Sequence, residues 1–386
     1  MEPTSVPVVV IGAGPGGLAV AASLKSHGIR PLVIDRAPHV GHTWRGHYDR
    51  LHLHTPRELS HLPGHRIPKR FGRWIARDDV VAYLEEYAGA HELDLRLGVA
   101  VETLTRTGEG WQVALADGST IRAPHVVVAT GYNNTPVAPD WPGVDTFTGE
   151  MVHAAKYRTG AVYAGRDVLV VGPGNTGAEI AVDLVEQGAG RVRLAVRTLP
   201  HILRRSTLGW PAQGTGILIR RLPPKLVDAV AHHLEKFETP DLSAQGLPKP
   251  DTGLYSQALR GRIPIQDVGI VDAIKSGRVE VVKAVVGMEG ADVVLADGRR
   301  IAPEVVIVAT GYSQALEPLL ADLGVLGPDG RPTTHGGQAN PAAPGLWFTG
   351  FTNPISGMFR ELALDARKIA RGIARQGSRE GERPAP

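Results

Sequence analysis

A strand that feeds a glycine-rich turn occurs twice in this chain, and that repeat limits the possible folds more than any other feature. Val8-Val9-Val10-Ile11 runs into Gly12-Ala13-Gly14-Pro15-Gly16-Gly17, and Val168-Leu169-Val170-Val171 runs into Gly172-Pro173-Gly174-Asn175-Thr176-Gly177. Each turn opens a stretch with apolar residues at helical spacing. These are Leu18, Ala21, Ala22 and Leu24 in the first unit, and Ile180, Ala181, Leu184 and Val185 in the second, with Gly28 and Gly188 as stop signals. Each unit closes on the same ending: a Leu-Ala-Asp-Gly hairpin turn, then Val126-Val127-Val128-Ala129-Thr130-Gly131-Tyr132 or Val306-Ile307-Val308-Ala309-Thr310-Gly311-Tyr312. Gly12 recurs as Gly172, 160 residues on, and Gly131 as Gly311, 180 residues on, so the second unit carries about 20 additional residues.

Strands alternating with helices through glycine turns predict an α/β fold of two dinucleotide-binding, Rossmann-like domains, the second inserted into the first. The expected division is a first domain over 1–145 and 309–376, a linker over 146–164, and a second domain over 165–308 with a helical insertion at 199–265. Within that insertion Leu218, Ile219, Leu222, Leu226, Val227, Val230 and Leu234 suggest amphipathic helices, broken at Pro223-Pro224. The polar segment 377–386 is expected to be disordered.

A Gly-x-Gly-x-x-Gly turn between strand and helix brings backbone N–H groups up to a pyrophosphate at the positive helix end. Two such turns imply two dinucleotides, and the end of the second strand of each unit separates them. An acid there accepts ribose hydroxyls, and a cation accommodates a 2′-phosphate. The first unit has Asp35, 23 residues after Gly12, which suits the ribose of FAD. The second has Arg197, 25 residues after Gly172, with Arg204 and Arg205 close behind, which favours NADPH. The chain has no cysteine among its 386 residues, so thiol nucleophiles, dithiol relays and thiolate metal sites are excluded, and redox chemistry requires a bound cofactor.

With 42 basic and 39 acidic residues the net charge is +3, and no basic run marks a nucleic-acid footprint. No apolar run reaches the roughly 20 residues of a membrane span, and the chain is expected to be cytoplasmic. Seven histidines between His39 and His65 raise a metal site, but their spacing matches no ligand pattern.

Between the units lies Phe147-Thr148-Gly149-Glu150-Met151-Val152-His153-Ala154-Ala155-Lys156-Tyr157. It resembles the Phe-x-Gly-x-x-x-His-x-x-x-(Tyr/Phe) fingerprint of the class B flavin-dependent monooxygenases. Tyr157-Arg158 stands where Baeyer-Villiger members usually carry Trp followed by Pro or Asp, so the likeness is to the flavin-containing monooxygenase branch. It is similar over nearly the whole chain to the plant YUCCA-type enzymes and bacterial relatives, through Tyr48-Asp49-Arg50-Leu51-His52-Leu53-His54-Thr55-Pro56, Ile263-Pro264-Ile265-Gln266-Asp267-Val268-Gly269 and Gly345-Leu346-Trp347-Phe348-Thr349-Gly350-Phe351-Thr352.

The resemblance implies hydride transfer from NADPH to the flavin, then reaction with dioxygen to a flavin C4a-hydroperoxide that oxygenates a small organic substrate. It implies FAD on Gly12, Gly14, Pro15, Gly16, Gly17, Asp35 and Arg36, with Trp44, Val101, Thr130, Gly131 and Gly350 beside it. NADPH is implied on Gly172, Gly174, Asn175, Thr176, Gly177 and Arg197. His54, where animal relatives carry Asn, and Asn353, ahead of a C-terminal helix, are the expected catalytic polar groups. Arg57 and Arg360 are candidates for pairing a substrate carboxylate, and His153 is expected by the domain junction. A flavin reductase or NADPH oxidase, and a nucleotide-binding redox sensor without turnover, remain alternatives on the sequence. So do substrate identity and a homodimer through the insertion.

Overall fold

The computed structural model describes residues 4–219, 222–225, 227–229 and 241–381. The chain forms two compact units, one from 1–45, 55–135 and 312–386, the other from 46–54 and 136–311.

In the first unit Val8–Ile11 is the middle strand of a five-stranded parallel sheet. The order is Leu346–Phe348, His125–Val128, Val8–Ile11, Leu32–Asp35, Asp94–Leu97. Val8, Val9 and Val10 are fully buried, as a near-continuous apolar run requires when both faces of a parallel sheet are covered. Helix Pro15–Lys25 packs against the C-terminal helix Met358–Gly381. The Asp117-Gly118 pair makes the expected hairpin between Gly110–Leu115 and Thr120–Ala123, with the Asp117 carboxylate accepting from Ser119 N–H at 3.0 Å.

The second unit repeats the plan. Its parallel sheet runs Glu150–His153, Val305–Val308, Asp167–Val171, Arg191–Val196, Val279–Lys283. In both sheets the strand leading to Ala-Thr-Gly lies beside the strand leading to the glycine turn. The outer neighbour of that closing strand differs: Leu346–Phe348 from late in the chain in the first unit, Glu150–His153 from the fingerprint in the second.

Three expectations change. Residues 150–153, placed in a linker, form a sheet edge, because Met151 and Val152 extend in register with Val306 and Ile307. The insertion contains helix Ala212–Ile219, but its buried residues are Gln213, Gly214 and Gly216, while Leu218 and Leu222 face solvent with Leu208 and Trp210. Leu226, Val230 and Leu234 lie outside the described residues; Val227 is buried. The C-terminal helix continues through Gly381, so 377–381, expected to be disordered, are helical. Extending an established helix adds one hydrogen bond per residue fixed, without a new nucleus.

Candidate functional site

Both glycine turns divide their labour the same way. Gly12 and Gly172 have φ of +114°, and a Cβ on either would fall onto the carbonyl oxygen of Ala129 or Ala309. Gly17 and Gly177 let their helices cross so close that a Cβ would strike the Gly12 or Gly172 carbonyl. The middle glycines are different. Gly14 and Gly174 are extended N-cap residues, and a Cβ there would meet nothing within 4 Å. Protein packing therefore gives no reason for glycine at these two positions, whereas close approach of a ligand does. Neither helix has a side-chain cap or an acid in its first turn, so the N–H groups and the positive dipole end stay available to an anion.

Pro15 is the first residue of its helix, where a missing N–H costs nothing. Gly16 packs on Leu362. Asp35 ends its strand with one oxygen accepting from Ala13 N–H at 2.6 Å and the other from Ala37 N–H at 2.8 Å. The same carboxylate that shapes the turn keeps lone pairs for ribose hydroxyls. Arg36 donates to Asn134 Oδ1 at 3.0 Å. Trp44 meets Phe359 edge-on at 5.8 Å, and Val101 begins a strand that packs on the core of this unit. Thr130 Oγ1 is buried with no hydrogen-bond partner among the described residues, beside the glycine turn. Gly131 and Gly350, at φ +91° and +87°, stand against one another, and the space at Gly131 is open. An orphaned hydroxyl, an open glycine and an uncapped helix end fit a bound dinucleotide.

In the second unit Arg197 is exposed and makes no ion pair or hydrogen bond among the described residues, while Thr176 is half-buried in the first helical turn. Asn175 is a strut. Its Oδ1 accepts from Gln266 N–H at 2.7 Å and its Nδ2 donates to Pro264 O at 3.3 Å, which fixes the segment 264–266 beside the turn.

Helix Asn175–Glu186 carries two buried acids one turn apart, Glu179 and Asp183, 3% and 4% exposed. Sequence reasoning assigned neither a role. Asp183 Oδ2 accepts from Tyr157 O–H at 2.6 Å and from Gly160 N–H at 2.8 Å, so the last fingerprint residue serves the helix. Burial, then the Asp183 charge, push the Tyr157 hydroxyl far up, which keeps it a donor. Asp183→Ala should lower unfolding stability by about 2–4 kcal/mol in urea melts, because it strands a hydroxyl and an amide in the interior. His153 accepts from Ala155 N–H through Nδ1 at 3.1 Å, and burial lowers its pKa.

Segment 46–54 is docked on the same helix. Arg50 forms a two-pronged pair with Glu186 at 2.8 and 2.9 Å, Asp49 N–H donates to Arg158 O at 2.9 Å, and Arg158 donates back to His47 O at 2.8 Å. His54 reaches Glu179 through Nε2, whereas His52 is exposed with its ring on Arg50 O. Asn353 is exposed, five residues before helix Met358–Gly381. Arg57 and Arg360 each pair with the next residue, Glu58 at 2.7 Å and Glu361 at 2.6 Å. Among the described residues no group of three or more His, Asp or Glu could hold a metal, and no helix is long and apolar enough to cross a membrane.

Residues 9–206 match the family model described as pyridine nucleotide-disulphide oxidoreductase. Indole-3-pyruvate monooxygenase YUCCA1 of Oryza sativa subsp. japonica is 39% identical over 82% of this chain and 79% of its own length. The chain belongs to the YUCCA-type flavin monooxygenases. A probable indole-3-pyruvate monooxygenase, YUCCA3 of Arabidopsis thaliana, is 32% identical over 97% of this chain and 88% of its own. The flavin-containing monooxygenase from Stenotrophomonas maltophilia superposes with a TM-score of 0.73 at 25% identity, over 97% of this chain and 99% of that one. This flavin monooxygenase, an enzyme that depends on FAD and NADPH, has no cysteine, so the disulfide chemistry in the family model's description has no place in it.

Proposed function

We propose that this monooxygenase acts on a 2-oxo acid with an aromatic side chain, the class to which the indole-3-pyruvate of its relatives belongs. In that reaction the bond between the carboxylate and the 2-carbon breaks and carbon dioxide leaves. One oxygen atom of dioxygen enters the shortened acid, and the other leaves as water with NADPH as reductant. Bound FAD supplies the redox chemistry, accepting hydride from NADPH and passing electrons to dioxygen.

The chain's own residues bind and orient. The turn at Gly12, Gly14 and Gly16 with Asp35 holds the FAD pyrophosphate and ribose, and Thr130, Gly131 and Gly350 close on the same nucleotide. Arg36, Trp44 and Val101 complete that set. Gly172, Gly174, Thr176 and Arg197 hold NADPH, and Asn175 holds the turn itself in place. His54 and Asn353 are the polar groups on the reacting side. The observation that carries the two-nucleotide reading is the pair of open middle glycines, each at an uncapped helix N-terminus.

Turnover of indole-3-pyruvate with NADPH and isotopically labelled dioxygen tests the substrate. One labelled oxygen in indole-3-acetate and release of carbon dioxide are expected. Labelled N- or S-oxides from amines or sulfides, with the oxo acid untouched, would reject it.

A further inference from the structure

We infer that Glu179, which lies outside both glycine turns, is the positioning residue that sets which nitrogen of His54 faces the reaction. The inference rests on the reading above that His54 takes part in it. Residues 53–56 belong to no helix or strand, so the local backbone does not fix the His54 ring. Two groups from the second unit do. Arg205 donates to Leu53 O at 3.0 Å and pins the peptide just before His54, while Glu179 Oε1 bonds His54 Nε2.

The other Glu179 oxygen accepts from Tyr48 O–H at 3.2 Å, and Tyr48 is 2% exposed. Burial pulls the Arg205 guanidinium down to about 10, and the Glu179 charge opposes that fall, so a cation stays beside the carboxylate. A carboxylate can only accept. His54 Nε2 must therefore carry the proton, and Nδ1 is left as the acceptor of a neutral ring or the donor of a charged one. A carboxylate that fixes a histidine's tautomer and orientation this way acts through the ring and not on substrate.

The rival role is a latch that merely holds segment 46–54 on the helix. Arg50 and Glu186 already make such a latch, and Glu179→Gln separates the two roles. The amide keeps the size and a hydrogen bond, but it can either donate or accept and no longer dictates the tautomer. In holoenzyme labelled at histidine nitrogen, with His54→Gln to assign the signal, the His54 ring should be Nε2-protonated in the natural protein. It should become a tautomer mixture in Glu179→Gln and stay unchanged in Arg50→Ala.

Product formed per NADPH oxidised should fall roughly ten- to hundredfold in Glu179→Gln, with KM for NADPH unchanged. That loss should vanish when the change is made in a His54→Ala background. An unaltered tautomer in Glu179→Gln, or losses that multiply in the double variant, would overturn the inference. If indole-3-pyruvate is not the substrate, the natural enzyme forms no product from it, yet the tautomer comparison still decides the role of Glu179.

Discussion

Gly14→Asp should yield a folded, colourless protein that FAD no longer restores. The position has φ −83° and ψ −179°, open to any residue, and a Cβ there meets nothing within 4 Å. Aspartate is also a better N-cap than glycine, by roughly a few tenths of a kcal/mol, so thermal stability of the protein without cofactor should hold or rise slightly. A carboxylate in the turn would repel the like charge of a pyrophosphate held there, and two such charges at a separation of about 4 Å and an effective dielectric near 20 would cost about 4 kcal/mol, or about a thousandfold in affinity. Gly17→Ala makes the control, since its methyl group collides with the Gly12 carbonyl and damages the fold itself. Flavin absorbance and thermal unfolding, measured on both variants, distinguish lost binding from lost structure. A yellow, active Gly14→Asp protein would remove FAD from this turn.

Arg197→Ala should erode the preference for NADPH over NADH. A charge-assisted hydrogen bond to the 2′-phosphate contributes about 1.5–3 kcal/mol, so kcat/KM for NADPH should fall by roughly ten- to hundredfold. NADH lacks the phosphate, and its kcat/KM should stay within about twofold. Arg197 is exposed and unpaired among the described residues, so the stability change should remain within about 0.5 kcal/mol. Arg197→Asp should deepen the NADPH defect and leave NADH alone. Equal losses with both coenzymes would mean that Arg197 holds the turn and not the phosphate. A loss with neither would place the phosphate elsewhere, with exposed Arg204 the next to change.

The two sheets and the two turns were legible because a parallel strand buried on both faces must be apolar throughout, and a turn that admits a backbone-bound anion must shed side chains at fixed places. Val8–Ile11 and the run Val168-Leu169-Val170-Val171 satisfy the first demand, and Gly14 and Gly174 the second. The role of Asn175 was hidden because its partners, Pro264 and Gln266, lie far away in sequence.

Glu179 and Asp183 were hidden for a different reason. Beside Ile180, Ala181 and Leu184 they read as the wet face of an amphipathic helix, yet that face is covered by Tyr48, His54, Tyr157 and Gly160. A usable signal was present: acids four apart in a helix with no basic residue of its own to pair them. The insertion misled in the opposite direction, since leucines at helical spacing report a covered face only when something covers it, and Leu218 is 70% exposed.

Segment 46–54 counts with the second unit although residues on both sides of it build the first. No single cut of the gene can therefore release that unit whole. A fragment spanning 136–311 would carry Glu179 and Glu186 stripped of Tyr48, His54 and Arg50, and a synthetic peptide of nine residues added in trans is what would complement it.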